Sequence, residues 1–196
     1  MYPRNISAIG RGDRPGQRHG LRHVMLYLIA LSTIVGGFIV LSCSSDDNEQ
    51  IRHANLVGSQ EVPPVTTAAT GTLTLTISDD RIRVTYQLVT VGPFTSNVRF
   101  AHIHIQQPGV NGPVVLFFCT NDPPPTGVPA PQACPTTGGT ISGSLTAADF
   151  IPSTQAANLG VNTFADAVAQ ILSGGAYANA HTVINPSGEI RGQIGP

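Results

Sequence analysis

The chain has 196 residues, with ten arginines and lysines against eleven acids, a net charge of −1, 41% hydrophobic residues and no tryptophan. Every cation is an arginine, and Arg4, Arg11, Arg14, Arg18 and Arg22 all precede residue 24, so the remainder is acidic and has no basic cluster. That excludes nucleic acid as a partner and charge-driven binding to anionic lipid, both of which need grouped Lys or Arg.

Residues 24–42 (VMLYLIALSTIVGGFIVLS) carry no charge. A basic head, an apolar run and a small residue at the cut site read as a signal peptide over 1–42. The Val40-Leu41-Ser42-Cys43 junction resembles the bacterial lipoprotein signal, which implies that Cys43 is lipidated and becomes the new N-terminus. The run is also long enough to remain as an uncleaved anchor. Both readings deliver the rest of the chain outside the cytoplasm, periplasmic or at the cell surface, and tie it to the membrane. Residues 43–53 then form the lipid-bearing cysteine and a polar tether, and 54–196 the domain.

Period-two patterning starts at Ala54. Leu73, Leu75 and Ile77 alternate with Thr72, Thr74 and Thr76, and Ile82, Val84, Tyr86 and Leu88 share one parity across the Ser78-Asp79-Asp80 turn. This predicts an antiparallel hairpin with one wet face. Further strands are expected at 98–106, 113–118, 139–145, 177–184 and 189–194, the last two joined by an Asn185-Pro186-Ser187-Gly188 turn. Thr146 can cap a single helical turn over 145–150. Thr163 can cap a helix carrying Phe164, Val168, Ile171 and Leu172 on one stripe, with Gly174 as its stop. About eight short strands separated by turn signals predict an all-β fold, an antiparallel sandwich or barrel with one or two short helices.

Cys119 and Cys134 flank a proline-rich segment that suits neither a core strand nor a helix, so it is a surface loop. In an oxidising compartment the pair is expected to form a disulfide; free thiols or a metal pair are the alternatives.

The segments ANLVGSQEVPPVTTAATG, FAHIHIQQPGVNGPVVLFF, ISGSLTAADF and YANAHTVINPSGEIRGQI, in this order, resemble the CHRD domain found in chordin and in bacterial secreted proteins. The resemblance runs from about Ala54 to Ile194. It implies an immunoglobulin-like barrel or sandwich with a distant likeness to copper/zinc superoxide dismutase, and it implies no settled biochemical function. The 119–134 loop reads as an insertion particular to this chain's branch.

His102 and His104 stand two residues apart in an expected strand, so both rings share a face, about 6.5–7 Å apart along the strand. Ala101, Ile103 and Ile105 take the opposite face, the better candidate for the core. His181 lies in the penultimate strand; if that strand neighbours 98–106, three imidazoles converge as ligands suited to copper or zinc. The order His-x-His plus a later strand histidine is similar to the copper site of the dismutase, although the histidine bridging copper to zinc has no counterpart here. His53 falls in the tether. Without a metal, the three histidines are hydrogen-bonding members of a polar sheet face.

Glu61, in an extended Pro-flanked segment, is a candidate binding acid or an ion-pair partner of Arg99 or Arg191. Glu189 and Arg191 alternate on the last strand and read as a charge device across strands or as binding residues. No nucleophile elbow, P-loop or HExxH is present. Two functions follow as expectations. One is a non-catalytic envelope lipoprotein that binds an extracellular protein or glycan, or acts as a scaffold. The other is a copper- or zinc-binding redox module on His102, His104 and His181.

Overall fold

A computed structural model describes residues 49–196. The signal over 1–42 and the lipid site at Cys43 lie outside the described residues. Eight antiparallel strands follow in chain order: β1 (Gln50–Val57), β2 (Thr70–Ile77), β3 (Val84–Val91), β4 (Val98–Ile105), β5 (Val114–Thr120), β6 (Gly139–Leu145), β7 (Ala176–Thr182) and β8 (Ile190–Gln193). Their order in the single sheet is β5-β4-β7-β8-β1-β2-β3-β6. The sheet curls until its edge strands β5 and β6 approach each other, giving a nearly closed all-β barrel.

The threonine-leucine alternation of β2 works as expected. Leu73, Leu75 and Ile77 are buried opposite Leu88, Tyr86 and Val84 of β3, while Thr72 on the other face is exposed. Each fully buried aliphatic side chain contributes roughly 1.5–3 kcal/mol. The turn is longer than expected. It runs from Ser78 to Arg83, with Arg81 at φ 59° and the Ser78 hydroxyl donating to Asp80. Ile82 is therefore in the turn and 63% exposed, rather than facing the core beside Val84.

A second correction concerns the tether. Gln50 to His53 pair residue by residue with Ile77 to Thr74 of β2, so strand β1 begins four residues before Ala54 and His53 is a strand residue. The polarity of this stretch hid the strand, because its early residues stand at the sheet's exposed border.

Thr163 and Asp166 form a reciprocal cap on helix α2 (Phe164–Ser173), and Gly174 ends it in the left-handed conformation. Phe164, Ala167, Val168 and Ile171 are buried, and α2 packs on β7 and β4. The turn capped by Thr146 is a short 3-10 helix over Ala147–Asp149. A further one-turn helix, α1 (Thr154–Asn158), is capped by Ser153. It has no apolar stripe to reveal it in the sequence. Among the described residues no helix is long and apolar enough to cross a membrane.

Cys119 and Cys134 are bonded to each other. Their loop is exposed over much of its length, and it closes the barrel seam. Gln132 pairs with Cys119 in a parallel bridge, and its side chain donates to the Tyr86 hydroxyl and to the Ser142 carbonyl of β6. Tyr86 in turn donates to the Phe118 carbonyl of β5. Prolines suit this segment because a seam needs few backbone donors along its outer edge.

Candidate metal centre

The site lies on the outer face of β4, β7 and β8. Strand pairing sets His102 opposite Asn179, His104 opposite Tyr177 and Phe100 opposite His181, and Arg191 of β8 opposite Asn179. Alternation places all of these on one face, because residues directly across a ladder point the same way. The β4–β5 register shifts between Ala101 and His102 and again between Ile103 and His104. Such irregularities re-aim side chains, and here one immediately precedes each histidine.

This polar face is not wet. Three loops cover it: 58–69, 106–113 and 183–188. His102, His104 and His181 are 2%, 8% and 5% exposed, while Ala101, Ile103 and Ile105 fill the barrel core behind them. Strand β4 is thus buried on both sides. The expectation of a core-facing aliphatic side holds, and the histidine side is interior as well.

The ligand-capable nitrogens of His102, His104 and His181 all lie within 4.8 Å of one another. Three nitrogens on one ion at ~2.0–2.1 Å stand about 3.3–3.6 Å apart. A pair at that 4.8 Å limit would therefore close by about 1.2–1.5 Å on binding. The hydrogen bonds already select the nitrogens. His104 Nδ1 donates to the Gly112 carbonyl at 2.7 Å, and His181 Nδ1 donates to the Pro186 carbonyl at 2.9 Å. Each bond leaves a lone pair rather than a proton on Nε2, the usual outer-sphere arrangement of metal-binding histidines; that of His181 has no partner, and that of His104 faces the Asn179 side chain. Gly112 is suited to this approach, since a Cβ there would stand 2.0 Å from the Ile105 carbonyl oxygen.

Asn179 Oδ1 stands 3.1 Å from His104 Nε2. A neutral ring that donates through Nδ1 has only a lone pair at Nε2 and cannot donate to that oxygen, so the Asn179 side chain must move aside for an ion to reach Nε2. Two further nitrogens, His102 Nδ1 and His181 Nε2, are buried without any hydrogen-bond partner. Buried polar atoms are normally satisfied, and a pair of orphans in one cluster of imidazoles is a donor set suited to a cation.

Electrostatics keeps the rings neutral. Burial, with His104 and His181 adding to it, holds His102 well below the ordinary histidine value. Burial lowers His104 to about 4 against the bond to Gly112, and lowers His181 to about 4 against the bond to Pro186. Neutral imidazole is the ligating form. Among the described residues no carboxylate or cysteine joins this cluster.

Aromatic rings wall the site. Phe100 lies 4.5 Å from the His181 ring, Phe117 lies 4.9 Å from His102, and Tyr177 stacks on His104. The Arg191 guanidinium sits 3.4 Å over Tyr177 and donates to the Asn111 side chain and the Val110 carbonyl.

The expected ion pairs are not formed. Among the described residues the salt bridge is Arg99 with Asp122. Glu189 is fully buried and takes hydrogen bonds from the hydroxyls of Thr67, Thr95 and Thr182, the Thr95 amide and the Asn185 side chain. Burial alone would raise its carboxyl, but these donors hold it below the usual carboxylate value. It pins these segments together, and it forms no ion pair across strands. Arg191 is spent on Asn111, Val110 and Tyr177. Glu61 is buried but bonded to neither Arg99 nor Arg191, because the arginines are committed elsewhere. His53, exposed on β1, contacts the Thr74 hydroxyl and stands apart from the cluster.

Asn179, Tyr177 and Gly112 complete the site and were not singled out from the sequence. Parity with His181 in YANAHT would have found the first two.

The CHRD domain family model matches residues 52–194. No curated protein and no solved structure matches the chain.

Proposed function

This chain belongs to the CHRD domain family, and we propose that it is an exported lipoprotein that holds one copper or zinc ion on His102, His104 and His181. The observation that carries this reading is the convergence of three neutral imidazoles, two of whose buried nitrogens have no other partner. Imidazole suits both metals, and a fourth position is left to a small ligand. His102 would bind through Nδ1, and His104 and His181 through Nε2. When bound, the ion supplies a cation for the orphaned lone pairs and, if it is copper, a one-electron couple. Rings each less than a tenth exposed support holding an ion rather than turning over an external substrate. The basic head, the apolar run and Cys43 support lipid attachment, with strand β1 beginning seven residues beyond that cysteine.

The test is metal analysis of the protein purified without a histidine tag, beside the His102→Ala/His104→Ala variant. The expected result is about one ion per chain in the native protein and almost none in the variant. Equal and negligible copper and zinc in both would remove this reading. Mass spectrometry of the native product tests the membrane tether: a free thiol at Cys43 or an intact leader would overturn it.

A further inference from the structure

Glu61 is 4% exposed, and its Oε1 is buried without a hydrogen-bond partner. A carboxylate in this position is costly unless something donates to it. The groups facing it are Arg191, Tyr177 and the Asn179 amide. Arg191 is bonded elsewhere, and Tyr177 lies under that guanidinium. Gly188 makes the room. It has φ 124°, and a Cβ there would lie 2.3 Å from Glu61 Oε1.

Glu61 and Gly188 both line a cleft of about 200 Å³ whose other walls include Val62, Pro63, Val65, Ile184 and Pro186. Ile184 is 65% exposed at this edge, and the neighbouring Val183 is 62% exposed. Glu61 also lines a second cleft, of about 330 Å³, beside Pro64 and Pro108. The combination is a buried acid with one unpartnered oxygen, lining a small cleft with aliphatic and proline walls.

We propose that this cleft binds a primary ammonium group on an aliphatic stem, the ammonium donating to Glu61 and the stem lying along Val62, Pro63 and Ile184. A neutral donor would add no positive charge beside the buried carboxylate, and among the described residues no guanidinium forms an ion pair with it: Arg191 acts on it through space while bonded to Asn111 and Val110, and Arg99 is paired with Asp122. Ammonium on a four- or five-carbon stem occurs in a lysine side chain of a peptide and in free diamines.

The probes are Nα-acetyl-lysine N-methylamide, 1,5-diaminopentane and, as a control, Nα-acetyl-norleucine N-methylamide, each titrated into the full chain and followed by calorimetry and NMR. Both ammonium probes, or one of them, bind, and the norleucine control does not. Tighter binding of the lysine derivative assigns the site to peptide-borne lysine; equal or tighter binding of the diamine assigns it to free amines. Glu61→Gln weakens binding by about tenfold or more, the range of one charge-assisted hydrogen bond. Affinity of the native protein rises from pH 5.5 to 8 as Glu61 ionises, a readout that stands even if Glu61→Gln folds poorly. Equal binding of the norleucine control, an affinity independent of pH, or no saturation by about 10 mM of either ammonium probe overturns the proposal.

Discussion

Tyr177 lies flat on His104: the ring centroids are 4.6 Å apart and the planes differ by 5°. The same tyrosine accepts the Gly112 amide through its hydroxyl, and the Gly112 carbonyl accepts from His104 Nδ1. Tyr177 therefore fixes the histidine twice, by stacking and by holding the loop that sets its tautomer. Tyr177→Leu is expected to weaken copper or zinc binding by about 10–100-fold, the usual cost of losing an outer-sphere support. Tyr177→Phe keeps the stack and costs less. Competition against a chelator of known affinity measures both.

Glu61 and the three histidines respond to pH with opposite signs. Burial pushes Glu61 up to about 7, against Arg191 and Asn179. Its contribution to stability is full below pH ~4.5 and is lost as pH rises through about 7. Glu61→Gln is therefore expected to be more stable than the native protein at pH 8, by about 2–3 kcal/mol, and nearly equal to it at pH 4.5. Denaturant titrations at the two pH values measure the difference, and a gap of the same size at both would contradict the assignment.

Because His104 and His181 are lowered to about 4, their contribution is full above pH ~6.5 and is lost as pH falls toward 4. The metal-free protein should lose stability steeply across that window. His181→Gln should flatten part of the slope, as read from melting temperatures between pH 4 and 7.

The cystine spans a sequence separation of 15 residues across the barrel seam. Replacing both Cys119 and Cys134 by alanine should cost about 3 kcal/mol, the chain-entropy value for a loop of that length. It should also raise hydrogen exchange in β5 and β6 before the other strands, because Gln132 no longer bridges them.

Glu189 joins the 58–69 segment, the loop before β4, the end of β7 and the turn before β8. Glu189→Ala leaves buried hydroxyl and amide donors unpaired at once, and a loss of about 3 kcal/mol or more is expected. Thr182→Val, which removes one donor, should cost about 1–2 kcal/mol. Chemical denaturation orders the two variants.

Much of the fold was legible because a strand with one wet face writes itself in period two. Thr72 to Ile77 and Val84 to Leu88 follow that rule, and Thr163 to Gly174 carries its own caps. The readings failed where polarity came from position rather than from exposure. Gln50 to His53 look like linker because they lie at an exposed border of the sheet. Ile82 looks like core because parity alone cannot see that Arg81 turns the chain. The histidines were legible as a spacing, His102 with His104, and as a later strand residue, His181.

Local residue order thus determined the strands, the capped helix, the facing of His102 with His104 and the leader's basic and apolar pattern. Only the nearly closed barrel decided the rest. It brought β7 beside β4, laid three loops over a polar face, left two imidazole nitrogens and one carboxylate oxygen without partners, and gave Glu189 and Arg191 separate partners. Those outcomes depend on contacts between residues far apart in the chain, and no spacing along the sequence encodes how far a buried group ends up from its nearest donor.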